Sequence, residues 1–166
     1  MTAHAMTPAP DRSPAALTTA DHERYMRMAL AEARIAFDEG EIPIGAIVVC
    51  RGRVVGRGHN LTERLGDVTA HAEMQAITAA AQTLGGKYLT DCALYVTVEP
   101  CLMCAGAISW AQVPVIVYGA SDPKRGYACQ TAQRPGVPFH PRATVTAGIL
   151  ADECAALMRA FFSPRR

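Results

Sequence analysis

Cys92-Ala93-Leu94-Tyr95-Val96-Thr97-Val98-Glu99-Pro100-Cys101-Leu102-Met103-Cys104 decides the fold of this chain. Residues 92–98 are apolar and β-branched enough to form a buried strand. Pro100 then opens a helix, since proline at the first helical position gives up only an N–H that would be unpaired anyway. Cys101 and Cys104 stand at i and i+3 on that helix start, so both sulfurs point to one side. The free N–H groups and the dipole there favour thiolates, the form that binds metal. A strand feeding directly into a helix is a unit of an α/β domain.

The second half of the pattern is His71-Ala72-Glu73, 27 residues before Pro100. Thr69 is expected to cap a helix over residues 70–84 closed by Gly85-Gly86, which places His71 in its first turn. His71, Cys101 and Cys104 are three zinc ligands, and three protein ligands leave a tetrahedral metal with an open position, the mark of a catalytic site. Zinc there lowers the pKa of a bound water to roughly 7. Glu73 does not share His71's face, but it approaches that water from the side, as a general acid/base must. Either half alone is ambiguous. A C-x-x-C also suits a zinc knuckle or a redox pair, and an H-x-E suits helix capping. Together they indicate one catalytic Zn²⁺ per subunit. The alternative is a structural zinc completed by His59.

Working outward, residues 1–17 are rich in Pro and Ala without periodicity and are expected to be a disordered extension, leaving residues 18–166 as one domain. Thr18 and Thr19 offer caps for a helix ending near Gly40, with Met26, Ala29, Leu30, Ala33 and Phe37 as its apolar stripe. Residues 44–50 and 54–60 form a hairpin around Arg51-Gly52-Arg53. Residues 113–119 are a further strand and 144–149 a short edge element. A last helix carries Leu150, Cys154, Leu157, Met158 and Phe161 on one face. These elements predict a three-layer α/β/α domain with a mixed five-stranded sheet.

The chain has 166 residues, 50% apolar and 19% charged, with net charge +1. Residues 120–166 hold seven Lys/Arg against three acids, a basic bias compatible with a phosphate-bearing partner. Six cysteines in a chain this long are not a secreted disulfide framework. Cys50, Cys92 and Cys154 read as buried thiols, and Cys129 as a thiol in a polar loop. No apolar run approaches 18 residues, so neither a membrane span nor a membrane partner is expected, and a reducing cytoplasm fits best.

Thr69-Ala70-His71-Ala72-Glu73-Met74 and the run from Tyr95 to Ala107 resemble the bacterial tRNA-specific adenosine deaminases of the cytidine deaminase-like superfamily. That superfamily's H-x-E…P-C-x-x-C signature is established for zinc-dependent nucleobase deamination. The likeness runs from about Asp21 to the C-terminus, through Gly58-His59-Asn60 and Tyr118-Gly119-Ala120-Ser121-Asp122-Pro123-Lys124. It implies a cytidine deaminase-like fold and a cytoplasmic homodimer whose active sites borrow surface from the partner. The implied reaction is hydrolysis of wobble adenosine to inosine in the anticodon loop of an arginine tRNA. His71, Cys101 and Cys104 are implied as zinc ligands and Glu73 as the proton shuttle.

The resemblance also implies substrate contacts. Asn60 would hydrogen-bond the flipped nucleotide, although its own context reads as a turn closing a strand. The amides of Ala72 and Cys101 would face the substrate, and Ile42, Ile44 and Val98 would wall the pocket or serve as core. Asp122 and Lys124 would contact the anticodon backbone, with a surface Asp-Pro turn as the alternative. Phe161, Phe162, Arg165 and Arg166 would bind RNA from the last helix, where the phenylalanines suit plain helix packing equally. Residues 126–130 depart from the small residues of many relatives, and Ile108-Ser109-Trp110-Ala111 is similar to guanine deaminases as well. The alternative substrate is therefore a free base or nucleoside, such as guanine or cytosine.

Overall fold

The computed structural model describes residues 13–132 and 138–163. Helix α1 (Thr19–Asp38) opens on a reciprocal cap: Thr18 Oγ1 accepts from Asp21 N at 3.2 Å, and the Asp21 carboxylate accepts from Thr18 N at 3.1 Å. Strands β1 (Gly45–Cys50) and β2 (Arg53–His59) form the hairpin, turning through Arg51 and Gly52 at positive φ. There follow α2 (Thr62–Leu65), α3 (Ala72–Leu84), β3 (Cys92–Val98), α4 (Leu102–Trp110), β4 (Val115–Ala120), α5 (Tyr127–Thr131), β5 (Thr144–Thr146) and α6 (Ala151–Phe162).

The sheet order is β2-β1-β3-β4-β5. β1 pairs antiparallel with β2 and β3, whereas β3–β4 and β4–β5 are parallel, so the sheet is mixed as expected. Alternate residues feed two cores. Ala46, Val48, Leu94, Val96, Ile116 and Tyr118 pack under α3 and α4. Ile47, Val49, Ala93, Tyr95, Val115 and Val117 pack under α1, where Cys154 of α6 also lies. The three layers are α3 and α4, the sheet, then α1 and α6.

Several boundaries differ from the sequence reading. His71 and Cys101 are not in first turns. Each is the N-cap, with extended backbone at ψ 157° and 170°, so α3 starts at Ala72 and α4 at Leu102. Pro100 accordingly lies just outside its helix. Thr69, expected as the cap, instead bonds Asp67 Oδ1 through both its N–H and its hydroxyl at 2.8 Å. β4 begins at Val115 because Pro114 has no N–H for the ladder. The short helices α2 and α5 were not anticipated. Pro14–Ala16, within the expected extension, forms one 3-10 turn, and Leu17 packs on the α1 core. Residues 1–12 of that extension lie outside the described residues.

Ala72, Ala76 and Ala80 line the sheet side of α3 and are fully buried. They allow its backbone to touch β2 at Gly56 and Gly58, where a Cβ on Gly58 would drive into the Ala72 carbonyl and the Ala76 amide. This contact sets where the start of α3, and with it His71, meets the sheet. Gly58→Ala should therefore destabilise the protein by about 1–3 kcal/mol, because backbone has no rotamer to yield. Urea denaturation checks this.

Candidate active site

β3 and β4 run parallel, and the site lies beyond their carboxyl ends, the usual place for ligands in such sheets. His71 caps α3 and Cys101 caps α4, with Cys104 one turn inside. The positive ends of two helices thus face one point. His71 Nδ1 stands 3.6 Å from Cys101 Sγ and 3.5 Å from Cys104 Sγ. All three ligand atoms lie within 4.8 Å of one another. Zinc bonds of about 2.05 Å to nitrogen and 2.3 Å to sulfur at tetrahedral angles place those atoms about 3.6 Å apart. The donor set therefore fits zinc in both chemistry and spacing. His59, the alternative fourth ligand, is engaged elsewhere: its ring nitrogens pair with Glu32 at 3.2 Å and Glu39 at 3.3 Å. Among the described residues the cradle has three ligands.

The electrostatics agree with a cation site. Cys101 is held down to about 4 by a hydrogen bond from the Cys104 thiol, helped by His71. Donating that bond, together with burial, pushes the Cys104 thiol up. His71 is raised, first by its hydrogen bond with Cys101. A divalent cation bound there would displace the protons of Cys104 and His71. Glu73 is 4% exposed, and burial pushes its carboxyl up to about 7. A buried carboxyl that titrates near neutrality is suited to take and return a proton at working pH.

Asn60 is buried at the end of β2, and its Nδ2 donates to Glu41 Oε2 and Thr62 Oγ1, both at 3.0 Å. Glu41, 1% exposed, also accepts from Glu63 N at 3.2 Å and Arg64 N at 2.7 Å, capping α2. A carboxylate only accepts, so the Asn60 amide is oriented by Glu41. Ala72 and Val98 are buried, Ile44 packs at the edge of the α3 core, and Ile42 is exposed. Lys124 shares a cavity of about 430 Å³ with Cys101, Leu102, Met103, Arg125 and Gln130. Asp122 Oδ1 accepts from Lys124 N and Arg125 N at 2.9 Å, fixing that turn.

The last helix stands apart from the cradle. α6 packs on the α1 face of the sheet, opposite α3 and α4. There Phe161 meets Phe37 edge-on with ring centres 5.8 Å apart, while Phe162 is 62% exposed. Arg165 and Arg166 lie outside the described residues. A cavity of about 560 Å³ opens beside the hairpin turn and the end of α3, lined by Cys50, Arg53, Leu84, Tyr88 and Cys92, away from this chemistry. Sequence reasoning missed Glu41 and Glu99 as buried carboxylates. The available signal was an acid directly flanking an apolar strand.

Three ligands around an open position, beside a buried carboxylic acid, define a zinc hydrolase site of the deaminase class. Residues 19–120 match the cytidine and deoxycytidylate deaminase zinc-binding region. The chain belongs to the tRNA-specific adenosine deaminase family. It is 44% identical over 153 residues to the tRNA-specific adenosine deaminase of Agrobacterium fabrum, covering 89% of this chain and 97% of that one. The Bacillus subtilis counterpart is 42% identical, covering 87% and 90%. A solved structure from a study of A-to-I editing by tRNA:A34 deaminases superposes with TM-score 0.74 at 43% identity, covering 81% of this chain and 98% of that one. The guanine deaminase of Nitrosomonas europaea is more distant, at 26% identity and TM-score 0.70, covering 84% and 83%.

Purified protein should carry about one zinc per chain by elemental analysis. Cys104→Ala should lose it, and chelation should lower the melting temperature of the wild type, since metal bound only by the folded state stabilises it.

Proposed function

We propose that the protein hydrolyses adenosine to inosine at the wobble position of a tRNA, in the cytoplasm where that substrate is processed. One observation carries the reaction: Glu73 is a buried carboxyl in the first turn of the helix that His71 caps, beside a three-ligand zinc cradle. The substrate reading is supported by relatives named for tRNA adenosine at 42–44% identity, against 26% for the guanine deaminase.

Zinc in the cradle makes a nucleophilic water available near pH 7. Glu73 takes the proton of the attacking water as a bond forms to adenine C6. It delivers that proton to N1, and the proton of the new C6 hydroxyl then passes to the exocyclic amine as the C–N bond breaks, so that ammonia leaves and C6 keeps a carbonyl oxygen. Asn60, held by Glu41, anchors the extruded nucleotide beside the start of α3. Extruding the base costs a few kcal/mol, less from a single-stranded loop than from a duplex. Lys124 offsets part of this against phosphate, which makes binding salt-dependent.

The homodimer belongs to the same reading. Leu102, Met103 and Trp110 of α4 are 45%, 38% and 85% exposed, a large apolar content for one nine-residue helix. Leu102 and Met103 stand between the two cysteine ligands, so a second copy docked there would border both sites. Trp110→Glu should give a monomer by light scattering where the wild type is a dimer.

Glu73→Gln should retain zinc and melting temperature while inosine formation in an arginine tRNA falls by about 10²–10⁴-fold. Full activity of the variant would exclude Glu73 as the proton carrier.

A further inference from the structure

Glu99 follows β3 and directly precedes Pro100 and Cys101, yet it is 7% exposed and has no part in the chemistry above. Its two carboxylate oxygens are both used by one loop. Oε2 accepts from Asp122 N at 2.9 Å, and Oε1 accepts from Ala128 N at 3.0 Å. The backbone makes the same connection: Tyr127 N donates to Pro100 O at 2.8 Å, Glu99 N donates to Ala120 O at 2.8 Å, and Cys101 bridges Gly126. Gly126 lies against the carboxyl group so closely that a Cβ there would strike Glu99 Cδ and Oε1. A buried carboxylate satisfied by two backbone amides is a costly group to keep unless it fixes something. What it fixes is the segment 122–128, which carries Lys124 and Arg125 to the cavity beside Cys101, with Asp122 bonding their backbone amides in the turn.

We propose that Glu99 is a positioning residue for substrate binding: it hangs the loop bearing Asp122 and Lys124 from the segment that supplies Cys101. The zinc cradle and the RNA-contacting rim then keep a fixed separation, and nucleotides flanking the reacting base are received in register with it. Glutamate is required because both loop partners are donors. Glutamine has the same shape, but its NH2 group must face one of the two amides. This inference rests on the RNA reading of the substrate.

The test uses an anticodon stem-loop with adenosine at the wobble position. Glu99→Gln should weaken its binding about tenfold, the scale of one lost charge-assisted hydrogen bond. Zinc content should stay at the wild-type level and the single-turnover rate at saturating RNA within about twofold. Gly126→Ala presses on the same carboxylate without removing it and should reproduce that split. Lys124→Ala should weaken wild-type binding but add less than about twofold in the Glu99→Gln background, because coupled sites are not additive. Unchanged affinity in Glu99→Gln, or full additivity with Lys124→Ala, overturns the proposal. Zinc loss in Glu99→Gln does so too, placing the carboxylate under the metal cradle instead. If the wild type leaves the stem-loop unaltered, the substrate reading is what fails. Hydrogen exchange at Asp122 and Ala128 then decides the positioning role, which requires faster exchange in Glu99→Gln.

Discussion

Two helix N-termini are brought to one point beyond the carboxyl end of β3, and the chemistry depends on that convergence. The cap positions of α3 and α4 supply His71 and Cys101, so the ligands leave extended backbone rather than the side of a turn. Neither helix is free to move. α3 is pressed onto β2 along Ala72, Ala76 and Ala80, where Gly56 and Gly58 remove the side chains that would hold the backbones apart. α4 follows β3 with only Glu99, Pro100 and Cys101 between them. The dipoles that result favour the thiolates and imidazole a zinc ion needs.

Buried carboxylates appear three times around this centre, each with a different partner. Glu73 lies at the start of α3 beside the cradle, and burial pushes its carboxyl up to about 7, the range a proton carrier needs. Glu41 is satisfied by the Asn60 amide and by amides of α2, which ties the end of β2 to that helix. Glu99 is satisfied by the loop after β4. The chemical type is the same; the donors around each decide its role.

Much of this was legible in the sequence, for physical reasons. β3 was bounded at residues 92–98 because every residue in it is buried, so composition alone marks it. The metal ligands were legible because zinc demands particular atoms at particular spacings. The start of α3 differs from the sequence reading because Thr69 is the better cap by residue type, and its bonds to Asp67 are visible only in three dimensions. His59 reads as a candidate fourth ligand in sequence, because its pairing with Glu32 and Glu39 exists only in the folded chain. The loop held by Glu99 was illegible because its partners are backbone amides, which every residue has. Phe161 and Phe162 read alike in sequence, yet one packs on Phe37 and the other is exposed.

The cradle fixes the reaction class more tightly than the substrate, since a guanine deaminase and a tRNA:A34 deaminase both share this fold. The most direct measurement offers zinc-loaded protein an arginine tRNA with adenosine at position 34 beside free guanine, cytosine and adenosine, reading inosine by nucleoside mass spectrometry and ammonia release in parallel. Inosine confined to the wobble position of the tRNA is the expected result. Ammonia from free guanine with no inosine in the tRNA would contradict it.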